Sequence, residues 1–254
     1  MEEKGITPSR RSVRVRIVDL HKGFNGVVVL KGVSLEVLPG EMMAIIGRSG
    51  QGKTVLLKHI IGLMTPDSGR VYVDEDEVTP TLALGSKAKV RIALVFQSLA
   101  LFNSLTVGEN VALALKENRL CPPEMIGKIV GDTLAMVGLK GKEGVLPSEL
   151  SGGMKKRLAI ARALATHPDL ILYDEPTSEL DPVTAETITQ VILDLKKQVK
   201  TTSIVVSHDV SLCLTIADRV AMLHDGRIIE VGTPEEIRGS RNPLVQEFIK
   251  GIKA

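Results

Sequence analysis

Eight consecutive residues, Gly47-Arg48-Ser49-Gly50-Gln51-Gly52-Lys53-Thr54, fit the pattern GxxxxGK[ST]. Glycines spaced in this way let the backbone curl until successive amide N–H groups point at one anion. A helix starting at the end of the loop adds its positive N-terminus. Lys53 is then placed to reach the β- and γ-phosphates of a nucleotide, and the Thr54 hydroxyl to bind Mg²⁺. An accidental glycine-rich turn fits the same letters, so context decides. Residues 43–46 are a short apolar run suited to a buried strand, and Leu56, Leu57, Ile60, Ile61 and Met64 recur at helical spacing. Strand, glycine loop and helix form the setting this chemistry needs.

Two further groups carry chemistry. Leu170-Ile171-Leu172-Tyr173-Asp174-Glu175 ends an apolar strand on two carboxylates. At the carboxyl edge of a parallel sheet these would face the same crevice as the glycine loop. Asp174 suits Mg²⁺, which takes one or two carboxylates along with phosphate oxygens. Glu175 is then free to orient and deprotonate an attacking water. By themselves the two acids read equally well as a solvated strand cap. Ser151-Gly152-Gly153 opens a helix that runs to residue 166. Ser is a good N-cap, but each glycine inside a helix costs about 1 kcal/mol against Ala. That cost makes sense if the backbone must approach an anion closely; a plain capped helix is the alternative.

The elements that must position these groups follow from periodicity. Val13, Val15 and Ile17 alternate with Arg14 and Arg16, as in a half-buried strand. Arg10, Arg11, Arg14 and Arg16 read as the solvated face of that strand ahead of a patch for anionic lipid. Strands at 27–30 and 33–37 would complete an antiparallel layer; residues 71–73 read as a separate further strand. Residues from 99 to about 150 show few strand signals and read as an inserted helical sub-domain. Beyond 151 the pattern is regular, with strands at 170–173, 203–206 and 220–223 and a helix from 181 to 199. Asp181-Pro182 and Thr233-Pro234-Glu235-Glu236 are good helix starts, and Asp225-Gly226 a turn. Strands alternating with helices predict an α/β fold with a mainly parallel sheet.

Taken together, these residues resemble an ABC-type ATPase cassette. Residues 150–154 are similar to the family's signature, 47–54 to its Walker A and 170–175 to its Walker B. Gln97 stands at its Q-loop, 178–181 at its D-loop, His208 at its switch histidine, and Phe24 where an aromatic residue lies against adenine. The elements keep the family's order from about residue 13 to 238. The resemblance implies a P-loop NTPase core with an antiparallel β sub-domain and the inserted helical sub-domain. It implies that ATP and Mg²⁺ are bound, with Gln97 touching Mg²⁺ and His208 the γ-phosphate. It also implies that Ser151, Gly152 and Gly153 of one copy complete the ATP site of a second copy. Phe24 has a core role as its alternative, Gln97 an ordinary polar break, and His208 a satisfied strand-end histidine. His21, His59, His167 and His224 read as surface or loop histidines. The sequence departs from many members at Met154, often Gln, and Glu179, often a small residue; Phe24 stacks but donates no hydrogen bond.

Composition narrows the class. The 254 residues are 44% hydrophobic and 24% charged, which excludes wholesale disorder. A net charge of +2 is too small for a protein whose affinity rests on nucleic-acid phosphates. The two cysteines, Cys121 and Cys213, make neither a disulfide framework nor a CxxC pair. Nothing reaches the roughly 18 apolar residues of a membrane span, and the charged start lacks a signal-peptide core. The expectation is a protein on the cytoplasmic face of the membrane, bound to a separate integral-membrane permease. It has a polar segment at 1–12, an ATPase domain at 13–240 and a tail at 241–254. Soluble ABC ATPases of ribosomes usually carry two cassettes, and those of chromosomes a long coiled coil; this chain shows neither. Segments 94–102, 105–112, 146–154 and 206–209, with the tail at 242–249, resemble the ATP-binding subunits of the Mla (maintenance of lipid asymmetry) type. Met154 fits that group. The resemblance implies phospholipid transport with an MCE-type lipid-binding protein, against lipoprotein release or amino-acid uptake.

Overall fold

Runs of apolar residues too short for helices become the central strands of a sheet that is buried on both faces. The computed structural model describes residues 11–79 and 90–251. Arg10, most of the 1–12 segment and the last three residues of the tail lie outside them. The larger sheet has six strands in the order β10-β9-β3-β8-β7-β6: β3 (Met42–Ile46), β6 (Ile92–Val95), β7 (Leu170–Asp174), β8 (Thr202–Ser207), β9 (Arg219–His224) and β10 (Arg227–Gly232). All neighbours are parallel except β10, which runs antiparallel to β9. Side chains alternate across these strands. Met43 and Ile45 enter one core, and Ala44 and Ile46 another. In the same way Leu170 and Leu172 face away from Ile171 and Tyr173.

The smaller sheet, β2-β1-β4-β5, is antiparallel. It comprises β1 (Val15–Phe24), β2 (Val27–Val37), β4 (Ser68–Val73) and β5 (Asp76–Glu77). Its inward residues, among them Val15, Ile17, Leu35 and Val71, join Met43, Ile45 and helix α1 (Lys53–Ile60) in one core between the sheets. The alternating arginines stay outside. Arg14 pairs with Glu36 at 3.6 Å, Arg11 pairs with Asp74, and Arg16 lies over the Tyr72 ring. The strands expected at 27–30 and 33–37 form one strand, because Gly32 (φ +84°) is absorbed into an irregular β1–β2 register instead of breaking it. Helix α1 stops at Ile60, short of Met64, and Gly62 (φ +76°) follows its cap.

Helices α2 (Val107–Glu117) and α3 (Pro123–Met136) pack with α4 (Gly152–Ala165) through Val111, Leu115, Leu134 and Leu158, in a cluster that reaches Ile171 and Tyr173. Helix α5 (Pro182–Val199) adds Ile188 and Ile192 to it. On the far side α6 (Val210–Ile216), α7 (Pro234–Arg238) and α8 (Pro243–Lys250) close the third core with Ile237, Val245 and Phe248. Among the described residues no helix is long and apolar enough to cross a membrane.

Candidate active site

Parallel register brings the chemistry together. Ile46 lies opposite Ser207, and Asp174 opposite Val206. The glycine loop, the Asp174-Glu175 pair and His208 therefore leave the same edge of the sheet. Gly52 holds the helix-cap position at φ +97°, where a Cβ would sit 2.9 Å from Val29 Cγ1. The Lys53 ammonium folds across the loop, donating to the Gly47 carbonyl at 2.7 Å and the Arg48 carbonyl at 3.3 Å. It also pairs with Glu175 Oε1 at 3.2 Å. Thr54 Oγ1 donates to Asp174 Oδ1 at 2.9 Å. Burial pushes the Asp174 carboxyl above its ordinary pKa, against the pull of the Thr54 hydroxyl. A hydroxyl beside a carboxylate whose charge is poorly solvated is an oxygen donor pair fit for a hard divalent cation.

Glu175 sits at φ +48° immediately after β7, with its N–H donating to Val206 O at 2.9 Å. Its Oε2 accepts from Ser207 Oγ at 3.0 Å and from the His208 N–H at 3.2 Å, and lies 2.8 Å from His208 Nδ1. The carboxylate is thus held from the lysine side and from the β8 side at once. Ser207, fully buried, is not among the site residues expected from the sequence, where it stands only as a hydroxyl beside His208 within the segment 206–209. Ser207→Ala is expected to lower kcat about tenfold and leave the KM for ATP unchanged, the size of a lost hydrogen bond to a charged group. Steady-state ATP hydrolysis measures this, and an unchanged kcat would show that the hydroxyl positions nothing.

A cleft of 440 Å³ is lined by Phe24, Ser49, Gly50, Gly52, Lys53, Thr54, Gln97, Glu175 and His208, with Val29 and Val55. Phe24 is 40% exposed at its rim with Lys22 Nζ 5.5 Å from the ring centre, so the core alternative for Phe24 is set aside. Gly47 lies at the base of the loop. The Arg48 and Gln51 side chains turn outward, Arg48 to Glu247 Oε1 at 2.6 Å and Gln51 Oε1 accepting from the Asp225 N–H at 2.5 Å, and neither residue lines the cleft.

Ser151, Gly152 and Gly153 do not line this cleft. Ser151 caps α4 by accepting from the Met154 N–H at 3.3 Å. Gly153 is buried where a Cβ would stand 2.5 Å from Thr184 Cγ2, so within its own chain the packing against α5 leaves no room for a side chain. Gly152 is exposed and has room for a Cβ, 3.7 Å from Leu180 Cδ2. His59 is also not a surface histidine. It is buried in α1, with Nδ1 2.8 Å from Val55 O, and burial lowers its pKa.

A glycine loop beside a paired-carboxylate strand end, on a sheet with a helical layer packed against it, defines a nucleotide-binding cassette. The model of the ABC transporter family matches residues 30–178, and the chain belongs to that family, whose cassettes hydrolyse ATP. It is 39% identical to the intermembrane phospholipid transport system ATP-binding protein MlaF of Escherichia coli (strain K12), over 88% of this chain and 84% of that one. It is also 39% identical to the methionine import ATP-binding protein MetN of Geobacillus kaustophilus (strain HTA426), over 93% and 70%. Among solved structures, the ATP-binding cassette MJ0796, a dimer in a post-hydrolysis state bound to ADP and Pi, superposes with a TM-score of 0.75 at 32% identity. That match covers 87% of this chain and 98% of that one.

Proposed function

We propose that this ATPase drives phospholipid transport through a separate integral-membrane permease, on the cytoplasmic face of the inner membrane, with an MCE-type lipid-binding protein as a further partner. Two copies close on ATP, with a site made of the cleft of one and Ser151, Gly152 and Gly153 of the other. The observation that carries the pairing is the exposure of Ser151 and Gly152 away from their own chain's cleft. The dimer of MJ0796 supports it.

Within one site, the amides of residues 47–52 and the N-terminus of α1 hold the phosphates, and Lys53 neutralises them. Phe24 stacks on the base at the cleft rim. Thr54, Gln97 and Asp174 would hold Mg²⁺, which would supply positive charge against the phosphates. Glu175 orients the attacking water and takes its proton as the bond between the γ-phosphorus and the leaving oxygen breaks. His208, fixed by Glu175 Oε2, faces the γ-phosphate. Its loss removes contacts made only in the closed pair, so the pair opens.

Overall identity does not choose the cargo, since MlaF and MetN match equally well. The local likeness of 94–102, 105–112, 146–154 and 242–249 to Mla-type subunits favours phospholipid; the match to MetN favours amino-acid uptake. A tagged pull-down from mildly solubilised membranes, with mass spectrometry of proteins and lipids, separates them. A permease with an MCE-type protein and bound phospholipid is expected. A permease without lipid enrichment would overturn the cargo and keep the ATPase.

A further inference from the structure

Lys156 lies on α4, the helix that Ser151 caps, and its side chain points inward until the residue is only 5% exposed. Its Nζ donates to the main-chain carbonyl of Gln97 at 3.1 Å and to Ser178 Oγ at 3.2 Å. Withdrawing an ammonium from water is costly unless it is well partnered. Here the partners are a carbonyl and a hydroxyl. Burial pulls the ammonium's pKa down, opposed by the more distant carboxylates of Glu179, Glu175 and Asp174. A methionine of similar length would fill the space without that cost, so the lysine must be read through what it joins.

It joins three segments that lie far apart in the chain. Gln97, whose side chain lines the cleft, is 59 residues away, and Ser178 is 22 residues away. Ser178 donates its N–H to the Glu175 carbonyl at 3.1 Å, closing the turn that follows the carboxylate. We propose that Lys156 is a positioning residue of the ATPase site. Its ammonium ties the main chain from which Gln97 projects, the helix opened by Ser151 and the turn after Glu175 into one body. Displacement of any one is thereby passed to the others. The inference rests on the reading of Gln97 and Glu175 as members of that site.

The test is steady-state hydrolysis of Mg-ATP by the purified full chain carrying Lys156→Met, Lys156→Arg or Ser178→Ala, beside Glu175→Gln. Lys156→Met is expected to lower kcat about tenfold with KM for ATP within about twofold. Lys156→Arg keeps the charge and the donors and is expected to restore kcat to within about threefold of the parent. Ser178→Ala, which removes one acceptor and leaves the lysine in place, is expected to lower kcat by about threefold with an unchanged melting temperature; it also serves if the methionine variant does not fold. Lys156→Met or Ser178→Ala at the parent rate would overturn the proposal, as would an arginine variant no better than the methionine one. If Glu175→Gln keeps turnover, the reading of the site falls and the inference with it. If Glu175→Gln is inactive while Lys156→Met turns over normally, the inference alone falls.

Discussion

Glu175→Gln is expected to stop turnover while ATP stays bound, and to convert the chain to a stable pair of copies whenever ATP is present. Gln has the shape of Glu and keeps an oxygen for the Ser207 hydroxyl and the His208 N–H, which hold Oε2 at 3.0 and 3.2 Å. What it loses is the capacity to accept a proton from water. Removal of a general base costs roughly 10²–10⁴ in rate. The groups that bind phosphate, Lys53 and the loop amides, are untouched. Because the closed pair is held by contacts to the γ-phosphate, a site that cannot cleave it stays closed. Phosphate release reports the first effect, and light scattering with and without ATP the second. A variant with no ATP-dependent change in mass would refute the closure model, and one retaining more than about a tenth of the parent rate would remove Glu175 from the role of base.

The parts of the fold that were legible in the sequence are those where one physical demand acts on consecutive residues. β3, β7, β8 and β9 are buried on both faces along their middles, and each shows there as a short apolar run, at 42–46, 170–173, 204–206 and 220–223. β10 and β6 were not legible. In β10, Arg227 is exposed, Glu230 is half-buried against the Ser240 hydroxyl and the register with β9 shifts between Ile228 and Glu230, so no clean alternation marks this edge strand after the turn at Asp225 (φ +45°) and Gly226 (φ +72°). In β6 the strand ends at Val95, yet apolar residues continue because Leu99 and Leu101 pack against the helical core. Hydrophobicity therefore carries no boundary there.

Within the site the division is similar. The glycine loop and the Asp174-Glu175 pair are contiguous motifs, and sequence spacing specifies them. Ser207 and Lys156 act across 32 and 22 residues, on Glu175 and Ser178, through contacts that exist only once β7, β8 and α4 are packed. Gly153 carries two demands, of which the motif shows one. Its place in the motif points to an anion, and only the packed structure adds that Thr184 on α5 leaves no room for a side chain.

Lys53→Ala is expected to weaken ATP binding by at least about 100-fold, the consequence of losing some 3 kcal/mol of charge-assisted contact with phosphate. The Lys53 side chain is 6% exposed and its ammonium is pre-placed. Its bonds to the Gly47 and Arg48 carbonyls fix its direction, so little side-chain freedom remains to be lost when nucleotide arrives. Its removal also leaves Glu175 Oε1 without its partner at 3.2 Å. A buried carboxylate stripped of its cation normally destabilises a protein by roughly 3–5 kcal/mol. Here Ser207 and His208 still hold Oε2, and the adjoining 440 Å³ cleft admits water, so the variant is expected to stay folded with a modestly lower melting temperature. Two measurements keep these effects apart. Titration with a fluorescent ATP analogue reads the affinity, and a thermal melt reads the fold. Unchanged affinity in a chain that melts cooperatively would remove Lys53 from the phosphate site and, with it, the reading of residues 47–54 as a phosphate loop.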